Sequence, residues 1–172
     1  MRGELDFESS LRKRVSLLEG LPVSVFDKVF NSIHLTPNAQ EFISILQKNG
    51  ILVGLLSGGF TPIVARLAKS LGIAYFSANQ LEVKEGLLTG KLVGQIINPE
   101  VKKDTLEQWR EELKLSKDRT VAIGDGANDL LMLKSAGLGI AFCAKEVLKQ
   151  EIPNHVDKRD FLEVLSLIDC LE

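Results

Sequence analysis

Cysteine is scarce in this chain: Cys143 and Cys170 are the two in 172 residues. Two distant thiols, each in apolar company, exclude a disulfide-stapled scaffold and a structural zinc cage. Both are expected as buried core thiols. Long apolar runs are missing too. No stretch approaches the roughly 20 residues that a membrane-spanning helix needs. The first residues, Met1-Arg2-Gly3-Glu4-Leu5-Asp6, do not form a secretion signal. Basic residues form no stripe: Arg12-Lys13-Arg14 is one short cluster on a helix face, and the net charge is −2. Nucleic acid and membrane are therefore excluded as partners, and a reducing cytoplasm is the expected compartment. What is present, 45% apolar and 26% charged residues, suits one globular domain with at most a small subdomain.

Apolar spacing predicts helices over 7–19, with Leu11, Val15 and Leu18 on one face, and over 24–33. Thr36-Pro37 reads as a helix start, an N-cap followed by proline, and Asn49-Gly50 as its end. A buried strand is expected over 51–56, running into Ser57-Gly58-Gly59. Pro62 opens a helix to Leu71, which Gly72 stops. A strand is expected over 73–77 and a hairpin over 80–94 with its turn at Glu85-Gly86. A helix over 103–115 aligns Leu106, Trp109 and Leu113. A strand starts at Val121, a helix covers 130–134, a short strand 138–142, and a closing helix 161–171. Strands separated by helices predict an α/β fold with a mainly parallel sheet. Residues 1–35 are helical, precede the first strand and read as a small N-terminal cap. Residues 36–172 are then the core.

The most informative stretch is Val121-Ala122-Ile123-Gly124-Asp125-Gly126-Ala127-Asn128-Asp129. An apolar strand stops at glycines that let the chain turn. Asp125 then stands at the strand's C-terminal end, where open parallel sheets carry their chemistry. A carboxylate there, with Asn128 and Asp129 within one turn, suits a hard cation such as Mg²⁺. Ser57-Gly58-Gly59 also follows a strand and precedes a helix, so its hydroxyl and N–H groups suit phosphate oxygens. Lys102, at a helix start, suits neutralisation of a phosphoryl group. Strand-serine, lysine and strand-aspartate together make the anion clamp that phosphoryl transfer needs.

This order resembles the haloacid-dehalogenase superfamily of phosphatases, along the whole chain. Leu56-Ser57-Gly58-Gly59-Phe60 is similar to its second motif, Lys102 with Thr105-Leu106 to its third, and Gly124 to Asp129 to its fourth. Gly3-Glu4-Leu5-Asp6-Phe7-Glu8 and Leu11-Arg12-Lys13-Arg14-Val15 resemble the helical cap of those members that act on O-phosphoserine. Ala78-Asn79, Leu88-Thr89-Gly90 and Ala141-Phe142-Cys143-Ala144-Lys145 fit as well, with Gln80 where arginine is usual. The resemblance implies a Rossmann-like core, Mg²⁺ as cofactor, and hydrolysis of a small phosphomonoester, O-phosphoserine, to serine and phosphate. It implies that Ser57, Gly58, Lys102 and Asn128 contact substrate or phosphate, and that Asp125 ligates Mg²⁺. Asp129 would orient the loop or a metal-bound water. Arg14 would pair with the substrate carboxylate, beside an apolar wall of Met1 and Phe7.

One element of that family is not found. Its members attack phosphorus with the first aspartate of an Asp-x-Asp-x-Thr motif ending a central strand, and the second aspartate handles the proton. Asp6-Phe7-Glu8-Ser9-Ser10 imitates the motif, but no strand precedes it. Asp6 is expected as a helix N-cap. The expectation is thus a core whose first, central strand is absent from these 172 residues. That leaves a fragment, a misplaced start codon, or a chain completed by a partner segment or by self-association. The alternative function is a non-catalytic module that binds phosphate or phosphoserine. A receiver-like domain shares the α/β order but needs an acidic pocket that Asp125 alone does not supply.

Overall fold

The computed structural model describes residues 2–168, with side chains from Phe7 onward. In chain order the elements are α1 (Arg2–Ser16), α2 (Val25–Ser32), α3 (Ala39–Lys48), β1 (Gly54–Phe60), α4 (Thr61–Ser70), β2 (Tyr75–Lys84) and β3 (Leu87–Val93). There follow α5 (Pro99–Glu112), β4 (Val121–Gly124), α6 (Leu130–Ser135), β5 (Leu138–Phe142), α7 (Glu146–Glu151) and β6 (His155–Val156). Short 3₁₀ turns cover Lys117–Arg119, Ala127–Asp129 and Phe161–Leu167. Two three-stranded sheets result, in the orders β1-β2-β3 and β4-β5-β6. Three of the four pairings are parallel, and only β2 with β3 is antiparallel. The α/β class with a mainly parallel arrangement is therefore present. Among the described residues, β1 and β4 each have a paired neighbour on one side only.

The chain divides into two compact units, residues 1–34 with 54–98, and residues 35–53 with 99–172. In the first, Leu11 and Val15 of α1 form a buried cluster with Ile96, against which Phe7, Phe60, Leu81 and Leu92 pack. Residues at i and i+4 lie one above the other on a helix, which is why this pair meets the sheet together. In the second, β5 supplies the fully buried Ile140 and Ala141, α6 supplies Leu133, and the C-terminal turn supplies Val164. Phe161 stacks between Phe42 of α3 and Phe142 of β5, at ring-centroid distances of 5.4 and 4.5 Å. No helix among the described residues is long and apolar enough to cross a membrane.

Several local expectations are corrected. Helix α1 begins at Arg2, so Asp6 lies inside it and is no N-cap. Helix α3 starts after Asn38, whose φ is 60°, and not at Thr36-Pro37. Strand β1 begins at Gly54 and runs on through Ser57-Gly58-Gly59 to Phe60. The expected strand over 73–77 and the first arm of the hairpin are one continuous strand, β2, and the Glu85-Gly86 turn closes it with both residues at positive φ. Residues 161–167 form a 3₁₀ turn, not an α-helix. Cys143 is exposed, not buried, because the chain leaves β5 through a turn that gives it φ 48°. Cys170 and Met1 lie outside the described residues.

Candidate active site

In the first unit, the site residues sit on a β-bulge. Ser57 pairs with Ala78 of β2, and Phe60 pairs with the next residue, Asn79, so Gly58 and Gly59 are inserted between them. Bulges re-aim side chains and occur next to active sites. The Gly59 N–H donates to Ser57 Oγ at 3.0 Å. Because that oxygen accepts, its own hydroxyl proton is left to donate elsewhere. The space around the Gly58 Cα is open: an added Cβ would meet nothing within 4 Å.

Helix α1 docks near the end of the bulged strand, since Phe60 packs against the Leu11–Val15–Ile96 cluster. Arg14 lies between those two anchors in sequence and is exposed. Its Nε donates to Ser10 O at 3.4 Å, and no carboxylate among the described side chains pairs with it. Phe7 is half-buried in the cluster.

In the second unit, β4 delivers Asp125 to its C-terminal end, followed by the Ala127–Asp129 turn and α6. Asp129 holds this turn together. Its Oδ2 accepts the N–H groups of Asp125 and Gly126, both at 3.2 Å, and its own N–H donates to Gly126 O at 2.9 Å. Its Oδ1 accepts from Lys102 Nζ at 2.6 Å, with both side chains only 7% exposed. Lys102 is the fourth residue of α5, so the ion pair ties that helix to the turn. An ammonium has three donors, and this bond uses one. Asp125 is exposed, and among the described residues nothing is bonded to its carboxylate. Asn128 is half-buried beside it.

The glycines of this loop are set by close approach. A Cβ on Gly124 would lie 2.5 Å from Asp129 Cβ, and one on Gly126 would lie 2.3 Å from Asn128 Oδ1. Asp129 cannot retreat without releasing three donors. Gly124→Ala is therefore expected to destabilise the protein by about 1–3 kcal/mol, the usual cost of overpacking. Urea unfolding measures it, and an unchanged midpoint would refute the tight packing.

The structure thus brings Lys102, Asp125 and Asp129 together in one unit, and the Ser57–Gly58 bulge and the Arg14 helix in the other. Asn79 carried no role in the sequence reading. It is 1% exposed, and its side chain bonds Gly58 O and Ile97 N. Its only signal in the sequence was the match of Ala78-Asn79 to the family pattern, which says nothing of its partners.

The chain belongs to the haloacid dehalogenase-like hydrolase family, whose model matches residues 1–134. The phosphoserine phosphatase of Lactococcus lactis is 50% identical over 171 residues, 99% of this chain and 79% of the relative. That of Methanocaldococcus jannaschii is 44% identical over 168 residues, 98% of this chain and 80% of the relative. A solved structure described as a substrate-bound phosphoserine phosphatase complex superposes with a TM-score of 0.90 at 44% identity, covering 98% of this chain and 80% of that one. A second, described as a phospho-aspartyl intermediate analogue of phosphoserine phosphatase, has the same TM-score and identity, covering 98% and 81%. Family and relatives together place the chain among the phosphoric monoester hydrolases.

Proposed function

We propose that this chain carries the substrate-binding and charge-neutralising part of a phosphoserine phosphatase site, acting on O-phosphoserine. The observation that supports it most is the Ser57 hydroxyl, held by Gly59 on a bulge with its proton free to donate. Ser57 and the backbone of Gly58 take phosphate oxygens. Lys102, anchored by Asp129, adds positive charge, and Asn128 contacts the substrate. Arg14 takes the serine carboxylate, with Phe7 on the apolar side.

Asp125 fits a Mg²⁺ ligand: it is exposed and has no partner among the described residues, and Mg²⁺ is usually held by one or two carboxylates, with waters and substrate phosphate completing the shell. When bound, Mg²⁺ neutralises phosphoryl charge. No group of three His, Cys, Asp or Glu residues suited to a metal occurs among the described residues. Asp129 then acts indirectly, by fixing the Asp125 backbone.

In the reaction of this class, a carboxylate oxygen attacks phosphorus, serine leaves with a proton from a general acid, and water hydrolyses the acyl phosphate. No Asp-x-Asp pair occurs in the 172 residues. Asp6 lies within a helix and Asp129 is buried and paired, so neither serves as the nucleophile. The nucleophile is then supplied from outside these residues, along an open edge of β1 or β4. A non-catalytic phosphoserine-binding role is the second reading, favoured by the same missing pair.

Arg14→Ala tests the substrate assignment. It should weaken O-phosphoserine binding about tenfold or more, as expected for losing a charge-assisted bond. Binding of a phosphomonoester without a carboxylate should change little. Calorimetry on both ligands decides, and equal losses would remove the carboxylate role.

A further inference from the structure

We propose that Asn79 is a positioning residue for Ser57, acting through the Gly58–Gly59 peptide. The inference rests on the reading of Ser57 as a phosphate ligand. Asn79 Nδ2 donates to Gly58 O at 2.9 Å, and Asn79 Oδ1 accepts from Ile97 N at 2.9 Å. These partners fix the orientation of the amide, since a carbonyl needs the donor end and an N–H needs the acceptor end. The backbone at Asn79 is held too, because Thr61 Oγ1 donates to Asn79 O at 3.1 Å and to Ala78 O at 3.3 Å.

The Gly58–Gly59 peptide is planar, so its C=O and N–H directions are linked. Holding Gly58 O sets the direction of the Gly59 N–H, and that N–H donates to Ser57 Oγ at 3.0 Å. A chain of two hydrogen bonds therefore runs from the Asn79 amide to the Ser57 hydroxyl. Two inserted glycines alone leave this peptide free to rotate. Asn79 removes that freedom and keeps the Ser57 proton available to an incoming anion. Its other end accepts from Ile97 N, so the same side chain also pins the segment that follows β3.

Asn79→Asp keeps an acceptor for Ile97 N–H but presents an oxygen to Gly58 O. Asn79→Leu removes both bonds at similar size. Backbone amide exchange is the first readout and needs no ligand. Asn79→Asp should speed exchange at Gly59 at least tenfold and leave Ile97 protected. Asn79→Leu should speed both, with the Leu133 amide in α6 unchanged in either variant. Unaltered Gly59 exchange would overturn the proposal. Inorganic phosphate titrated by calorimetry is the second readout, at a temperature where circular dichroism shows each variant folded. Asn79→Asp should weaken phosphate at least tenfold, and adding it to Ser57→Ala should weaken binding no further. A lower melting temperature with unchanged phosphate affinity, or additive losses in the double variant, would show a merely structural role. If the unmodified chain binds no phosphate, the proposed function fails, and Gly59 exchange alone decides the positioning of Ser57.

Discussion

Replacing Lys102 by methionine is expected to lower folding stability by about 3–5 kcal/mol, the loss typical of stripping one partner from a buried ion pair. The Lys102 and Asp129 side chains are each 7% exposed, and 2.6 Å separates Nζ from Oδ1. The methionine fills similar space, so lost packing is small and the effect isolates the charge. Asp129 would then keep a buried carboxylate with only two backbone N–H donors, at 3.2 Å each. Asn at 129 retains an oxygen for those donors without the charge. The double change Lys102→Met with Asp129→Asn should therefore recover a substantial part of the loss. Urea unfolding of the four proteins gives the coupling directly. Additive effects would mean that the pair contributes nothing beyond two independent side chains.

The second large effect concerns turnover. With Mg²⁺ and O-phosphoserine, the 172-residue chain alone should release phosphate at a rate lower than a complete enzyme by a factor on the order of a million. That is the scale of loss seen when a hydrolase is stripped of its nucleophile. A peptide strand ending in Asp-x-Asp-x-Thr, added in trans, should restore phosphate release. The structural reason is that β1 and β4 each leave one edge without a partner among the described residues. Such edges present unpaired N–H and C=O groups and readily accept a strand. Asp125 directly follows the C-terminal end of β4, so a parallel strand added along that edge delivers its terminal aspartate beside it. Phosphate release by the chain alone at an ordinary enzymatic rate would place the nucleophile within it.

The second unit was legible in the sequence around its chemistry. Strand β4, its loop and α6 lie where an apolar run and Gly-Asp-Gly punctuation predict them, because local signals and tertiary structure agree there. The first unit was read less well around its chemistry. Two glycines after Ser57 signal a turn, yet β1 continues through them, because pairing with β2 overrides their low strand propensity. Asn79 likewise breaks the strand pattern locally, so β2 looked like two elements. Its partners, Gly58 and Ile97, lie 21 and 18 residues away, and nothing in the sequence announces them. The Lys102–Asp129 bond spans 27 residues and was equally invisible, although each residue was singled out separately. Cys143 misled because apolar neighbours mark the end of β5, while the residue itself sits in the turn that leaves it. The two-residue strand β6 and the six-residue α7 are too short for periodicity to register.

The most direct test of the account is a calorimetric titration of O-phosphoserine into the 172-residue chain with Mg²⁺ present, repeated with Ser57→Ala. The account predicts saturable one-site binding that weakens at least tenfold in the variant. An absence of binding heat, or equal affinity in both proteins, would contradict it.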